Sequence, residues 1–199
     1  MKILIIGANG TLGRAVTAEL EPRHDIVRAG RSSGDVRVDL CDATSVETMF
    51  GQVGELDAVI CAAGSVPFKP LADFTEADYL VGLHDKLLGQ VRLVTAGTPH
   101  VRDGGSFTLI TGILAEQPIV AGACASMVNG AVEAFVRGAA IELPRGLRIN
   151  AVSPNVLVES MEGYGPFFRG FEPVTAARAA RAFSRSVEGR QTGEVYKVW

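Results

Sequence analysis

Cysteine, tryptophan and histidine are scarce in this chain, and charge of neither sign dominates it. The three cysteines, Cys41, Cys61 and Cys124, are scattered. They match neither a disulfide framework nor a metal-ligand spacing, and point to reduced thiols in a cytoplasmic protein. A net charge of −3 with no basic run argues against a nucleic-acid partner. No apolar run approaches the roughly 20 residues that a membrane helix needs. The first apolar run is too short for a signal peptide and leads straight into a glycine turn. Internal repeats, low-complexity tracts and linkers are missing as well. What remains is 199 residues, 47% of them hydrophobic, read as a single domain over 1–199 with a full core.

The most informative stretch is Gly7-Ala8-Asn9-Gly10-Thr11-Leu12-Gly13. It follows the β-branched run Ile3 to Ile6, which reads as a buried strand. It precedes a segment with apolar residues at helical spacing. Strand, glycine turn and helix together form a dinucleotide-binding arrangement. Gly7 permits the tight turn, Gly10 lets backbone approach a pyrophosphate, and Gly13 lets helix pack close on strand. Free N–H groups at the helix start then face the phosphate charge.

Asp25 to Ala29 reads as the second strand. An NAD site usually places an acid roughly twenty residues past the glycines, on the ribose 2′-hydroxyl. Here the segment is Gly30-Arg31-Ser32-Ser33. Arg31 can pair with a 2′-phosphate, with the serine hydroxyls assisting, so NADP is expected rather than NAD. A third strand is expected at Val36 to Asp39. Too few residues separate it from the second for a crossover helix, so either a bare loop makes the return or the strand is short and peripheral. Asp42 or Thr44 caps a helix to Val53.

Leu56 to Cys61 is the fourth strand, and Ala62-Ala63-Gly64 lets backbone lie against a nucleotide. A long helix is expected over about Thr75 to Gly97, with Gly82 as a soft point. Gly104-Gly105 turns the chain into a strand at Ser106 to Thr111. A second long helix runs from Gly122 to Leu143, where Pro144 ends it. Leu147 to Val152 is a strand closed by Ser153-Pro154. A glycine-rich loop with Tyr164, Phe167, Phe168 and Phe171 leads to a helix from Glu172-Pro173 to about Val187, and Gly193 to Val198 is a final strand. This alternation predicts an α/β fold, a parallel sheet covered on both faces.

In this order the segments resemble the short-chain dehydrogenase/reductase family over essentially the whole chain. The resemblance rests on the glycine motif, Asp39-Leu40 where the family contacts adenine, and Ala62-Ala63-Gly64 in place of an N-A-G segment. It continues with Leu87-Leu88-Gly89, Ala131-Val132-Glu133-Ala134-Phe135 to Leu143, and Arg148 to Pro154. It implies a Rossmann-type doubly wound sheet of strand order 3-2-1-4-5-6-7. It also implies bound NADP, and a homodimer or homotetramer. The implied cofactor contacts are Gly7, Asn9, Gly10, Thr11, Leu12, Gly13, Arg31, Ser32, Asp39, Leu40, Ala62, Ala63, Gly64, Lys86 and Pro154.

The catalytic half of the resemblance departs from the pattern. The family works through Tyr-x-x-x-Lys at the start of its fifth helix, where the tyrosine moves the proton and the lysine lowers its pKa and holds the ribose. Aligning back from Ala131-Val132-Glu133 puts Ala125 and Asn129 at those positions. Aligning on Ala125-Ser126 puts Ala123 and Met127 there. The family's serine position is Ile113, and its helical asparagine is Lys86. Catalysis therefore falls to other groups: Tyr164 from the loop, Lys86, and Thr111, with Ser126 as a further hydroxyl near the site. Two functions follow. One is an NADP(H)-dependent oxidoreductase with a non-standard active site for a small carbonyl or alcohol. The other is an NADP(H)-binding sensor or interaction protein without turnover.

Overall fold

The centre of the sheet is β1 (Lys2–Ile6), and its residues Ile3 to Ile6 are at most 1% exposed. Apolar β-branched side chains on both faces suit a strand that helices cover twice. The computed structural model describes residues 1–199. Seven parallel strands follow the order β3-β2-β1-β4-β5-β6-β7. The others are β2 (Asp25–Gly30), β3 (Val36–Arg37), β4 (Leu56–Cys61), β5 (Val101–Ile110), β6 (Arg148–Pro154) and β7 (Val195–Val198). The expected α/β Rossmann-type fold, its strand order and its single domain are therefore what forms.

Helices α1 (Thr11–Leu20) and α7 (Ala176–Glu188) pack on each other. Between α2 (Ala43–Val53) and α5 (Ala123–Glu142) lies α4 (Leu88–Gly97). Two shorter helices are α3 (Glu76–Gly82) and α6 (Met161–Tyr164). One core cluster joins the strands to α1, α2, α4, α5 and α7 through Val16, Leu20, Phe50, Leu93, Val132 and Phe183.

The strand ends place the site. In the β1–β2 and β1–β4 registers Ile6 faces Ala29 and Cys61, so the three chains leave the sheet at one level. The Gly7 N–H donates to the Ala29 carbonyl at 2.8 Å, and the Ala62 N–H to the Ile6 carbonyl at 2.9 Å. Chain direction diverges here, with β2 on one side of β1 and β4 on the other, which is where open α/β sheets form a ligand crevice.

The return from β2 to β3 is made by a loop, Arg31 to Asp35. Both expectations for this segment hold together, because β3 is short and lies at the edge. Gly34 makes the reversal possible. Its φ is +125°, and a Cβ there would lie 2.7 Å from the Arg28 carbonyl oxygen. Asp35 completes the loop, accepting the Arg28 N–H at 2.8 Å.

Strands β3, β6 and β7 differ from expectation by a few residues at their ends, and three larger differences have a physical cause. The helix expected over Thr75 to Gly97 is α3, a π turn at Leu83–Leu87, and α4. Its two halves are seated by glycines against different surfaces. A Cβ on Gly82 would lie 2.9 Å from Cys124 Sγ, and one on Gly89 would lie 2.9 Å from Leu40 Cβ. The extra residue of the π turn absorbs the mismatch between the two seats. Gly104 and Gly105 lie inside β5 rather than before it, where the register with β4 shifts and a Cβ on Gly105 would lie 2.6 Å from the Asp57 carbonyl oxygen. The last helix starts at Ala176, not at Glu172-Pro173, because Thr175 caps it by accepting the Arg178 N–H.

Candidate active site

A groove of about 140 Å³ runs over the strand ends, between Gly7, Gly30, Arg31, Asp39, Leu40 and Gly64. Gly7 has φ +79°, and a Cβ there would lie 2.8 Å from Ala63 Cβ. At Gly13 a Cβ would lie only 1.9 Å from the Gly7 carbonyl oxygen, so helix and turn touch through backbone alone. Gly10 is the N-cap of α1 and offers no capping side chain. The N–H groups of Thr11, Leu12 and Gly13 have no intrahelical acceptor and carry the positive end of the helix dipole.

Arg31 is exposed at the rim of the groove, and its guanidinium makes no hydrogen bond or ion pair within the chain. The neighbouring serines divide. Ser33 accepts a hydrogen bond from Asn9 Nδ2 at 2.7 Å, which ties the glycine turn to the loop after β2. Ser32 is exposed and makes no side-chain bond. Asp39 lines the groove and accepts the Cys41 N–H. Val38 and Leu40 are buried beside it. Ala63 lies with Gly64 on the groove wall, and Ala62 is partly buried against the core. Asp85 lines the groove and accepts the Ser65 N–H at 3.4 Å.

Beyond Gly64 the groove opens into a cavity of about 270 Å³. Lys86 stands at the junction. Its stem lies on Gly64, its carbonyl accepts from Gln90 Nε2 at 3.0 Å, and its ammonium finds no partner in the chain. Burial among apolar atoms lowers its pKa to about 8, against opposing contributions from Cys61 and Asp85. Gln90 is fully buried and also bonds the N–H and carbonyl of Ile110. It thereby fixes the π turn to the end of β5.

Thr111, directly after that strand, lines the cavity. Its hydroxyl donates to Glu133 Oε1 at 3.1 Å or to the Val152 carbonyl at 3.3 Å. Glu133 is 5% exposed, and burial raises its pKa. The α5 wall presents Ala125 and Asn129. Of the two alignments, this is the one whose positions reach the cavity. Ala123 lines a separate surface pocket, and Met127 is exposed. The hydroxyl of Ser126 is buried without a partner and lines that other pocket.

Tyr164 ends α6 and lines the cavity with Phe68 and Phe168. Its ring meets Phe68 edge-on at 5.6 Å and Phe168 at 6.5 Å. Pro154 closes the floor at the end of β6. The other two tyrosines lie elsewhere: Tyr79 stacks on Phe74, and Tyr196 donates to Gln191. Sequence reading missed Asn129 as a cavity residue, Phe68 as part of its aromatic rim, and the bond between Asn9 and Ser33. Phe68 carried no signal, because it sits in an irregular stretch. Asn129 carried one, since it falls at a family catalytic position in one alignment.

Residues 5–196 match the family model described as enoyl-(acyl carrier protein) reductase. This chain is a short-chain dehydrogenase/reductase. The protein lin1944 from Listeria innocua is 55% identical over the whole of both chains, with a TM-score of 0.99. A small-chain dehydrogenase solved in complex with NADPH superposes with a TM-score of 0.89, covering 100% of this chain and 96% of that one at 24% identity. An uncharacterized oxidoreductase of Methylorubrum extorquens is 30% identical over 67% of this chain. A hydroxynaphthalene reductase-like protein of Metarhizium brunneum is 24% identical over 76% of it. The matches span 56% and 66% of those two relatives' own lengths.

As a member of this family the chain has the frame for a nicotinamide dinucleotide, and its residues fit one. The glycine cradle excludes side chains from the turn, and the N-terminus of α1 is open to phosphate. No helix is long and apolar enough to cross a membrane.

Proposed function

We propose that this short-chain dehydrogenase/reductase is a cytoplasmic NADP(H)-dependent oxidoreductase with a non-standard active site, acting on a small carbonyl or alcohol. The observation that carries the cofactor choice is the unpartnered guanidinium of Arg31 at the groove rim, where an acid would favour NAD. The Asn9–Ser33 bond holds the loop that carries Arg31 against the glycine turn. When bound, NADPH supplies a hydride to the carbonyl carbon.

The chain's own residues handle the charge and the proton. Lys86 lies where groove meets cavity, and its ammonium is free to stabilise a developing alkoxide. Tyr164 offers a phenolic proton from the aromatic rim. Thr111, committed to Glu133 and the Val152 carbonyl, acts in this reading as a wall that orients the substrate. Phe68 and Phe168 exclude water beside it.

The test is NADPH binding by fluorescence titration, followed by turnover across a panel of aryl and alkyl ketones and alcohols. Tight NADPH binding with oxidation by one or more carbonyls supports the reading. Binding with no turnover across the panel converts it to the sensor reading, and failure to bind NADPH overturns it.

A further inference from the structure

The chain holds four lysines, Lys2, Lys69, Lys86 and Lys197. Three of them have their ammonium committed. Lys2 Nζ donates to the Val53 carbonyl at 2.7 Å, Lys69 pairs with Asp78 at 2.6 Å, and Lys197 pairs with Glu116 at 2.7 Å. Lys86 alone has no acceptor for its nitrogen, although that nitrogen keeps surface open to solvent. It is also the one lysine on the wall of the cavity. An ammonium crowded by apolar atoms and left without a partner gives up its proton readily, because nothing repays its lost hydration. Burial brings its pKa down to about 8 for that reason. Few charged or titratable groups face it. Cys61 from β4 and Asp85 from the π turn favour the charged form, and Tyr164 from α6 lines the same cavity. Helix α5 brings only Ala125 and Asn129 there.

We propose that Lys86 is a carbonyl-reactive lysine through which the cavity binds small aryl aldehydes covalently. The neutral amine is the nucleophile. Its lone pair attacks the aldehyde carbon, and the proton lost from nitrogen ends on the former carbonyl oxygen, giving a carbinolamine. Water then leaves, the nitrogen lone pair closes the C=N bond, and the product is a protonated imine. One amine, one aldehyde and one proton give one iminium and one water. Nothing is oxidised or reduced, and water reverses the step. Phe68, Tyr164 and Phe168 supply an aromatic rim for the aldehyde's ring. The cavity of about 270 Å³ exceeds the roughly 150 Å³ that holds a benzene ring. Imine formation needs no cofactor and goes beyond the oxidoreductase reading. It uses the other protonation state of the same nitrogen, so it gains as pH rises through the range where the ammonium is lost.

The test incubates the wild-type protein with benzaldehyde and sodium cyanoborohydride, without cofactor, and maps the benzylated amines by peptide mass spectrometry. Cyanoborohydride reduces each iminium to a secondary amine and so fixes it in place. Near neutral pH an amine of pKa about 8 carries about a hundredfold more of the neutral form than an ordinary lysine. Lys86 is therefore expected to label about tenfold or more faster than Lys2, Lys69 or Lys197, with the α-amine of Met1 scored separately. Its rate should climb through about pH 8 and then level off. In guanidinium-unfolded protein the four lysines should label alike, and Lys86→Arg should abolish the fast adduct. A folded protein in which Lys86 labels no faster than the other three overturns the assignment. Propanal, run in parallel, reads the aromatic fit: a benzaldehyde-to-propanal ratio at Lys86 that folding does not raise overturns the aryl preference. The two readings fail separately, since the adduct forms without NADPH and its absence leaves carbonyl turnover untouched.

Discussion

Gly64 and Lys86 are packed so closely that no side chain fits between them. A Cβ built on Gly64 would lie 2.8 Å from Lys86 Cγ, at a backbone φ of +137°. The glycine thus sets the path of the lysine stem from the π turn to the cavity. Gly64→Ala should displace Lys86 and strain the turn, lowering kcat by about tenfold or more. Steady-state kinetics of the variant checks this, and an unchanged kcat would show that the contact does not position the lysine.

Removal of the charged or hydroxyl group itself should cost more. Lys86→Met and Tyr164→Phe keep shape and remove function, and each should lower kcat by about a hundredfold while NADPH affinity stays within a few-fold. The lysine has a pH signature as well. Its folded pKa is lowered to about 8 by burial, so reduction that needs its ammonium is lost as pH rises through that value. Lys86→Met should flatten that limb of the profile. Unchanged rates in both variants would leave the Thr111 hydroxyl or a bound water to move the proton.

Cofactor choice should follow Arg31. Arg31→Ala is expected to weaken NADPH by about 1.5–3 kcal/mol, the worth of a hydrogen bond to a charged group, and to leave NADH nearly unchanged. Titration with both cofactors decides it. Equal losses would remove the 2′-phosphate from Arg31.

Acid stability should depend on Glu188. Its carboxylate accepts from Arg23 at 2.8 Å and is also bonded to His24 and Ser184, which joins α7 to the end of α1. Arg23 is the largest cause that lowers its pKa to about 2. A depressed carboxylate pKa stabilises the fold above the unfolded value of about 4.3 and is lost as pH falls through the folded one. Glu188→Gln should therefore lower the melting temperature at neutral pH and narrow its gap from the wild type as pH falls from about 4.3 toward 2. A gap independent of pH would assign the effect to packing instead.

Assembly should use the helices that carry exposed apolar side chains. Leu80 on α3, Leu88 on α4 and Met127 on α5 are 42%, 38% and 42% exposed. A homodimer or homotetramer through these helices is the expected state at micromolar concentration, and Leu88→Glu should dissociate it. Sedimentation velocity reads both, and a monomeric wild type would contradict the expectation.

The fold was legible in the sequence because its signals are local. Gly7, Gly10 and Gly13 sit at positions where backbone touches backbone, and Ile3 to Ile6 can only be a strand buried on both faces. The site was less legible because it is made by pairs distant in sequence. Nothing local marks Asn9 as the partner of Ser33, or Gln90 as the clamp on Ile110. Asp85 shows the limit most plainly. It lies within the π turn and lines the groove, and no local sequence signal marks that turn.

The extra residue of the π turn also divides one continuous helix into two independently phased halves. Each residue of an α-helix advances by about 100° around the axis, so loss of a single position in the turn would force the halves into one register. Either the Gly82 seat on Cys124 or the Gly89 seat on Leu40 would then be vacated. A one-codon deletion at His84 would thus rotate a whole wall of the site without changing the chemistry of Lys86. Length, as much as side-chain identity, is what this helix encodes.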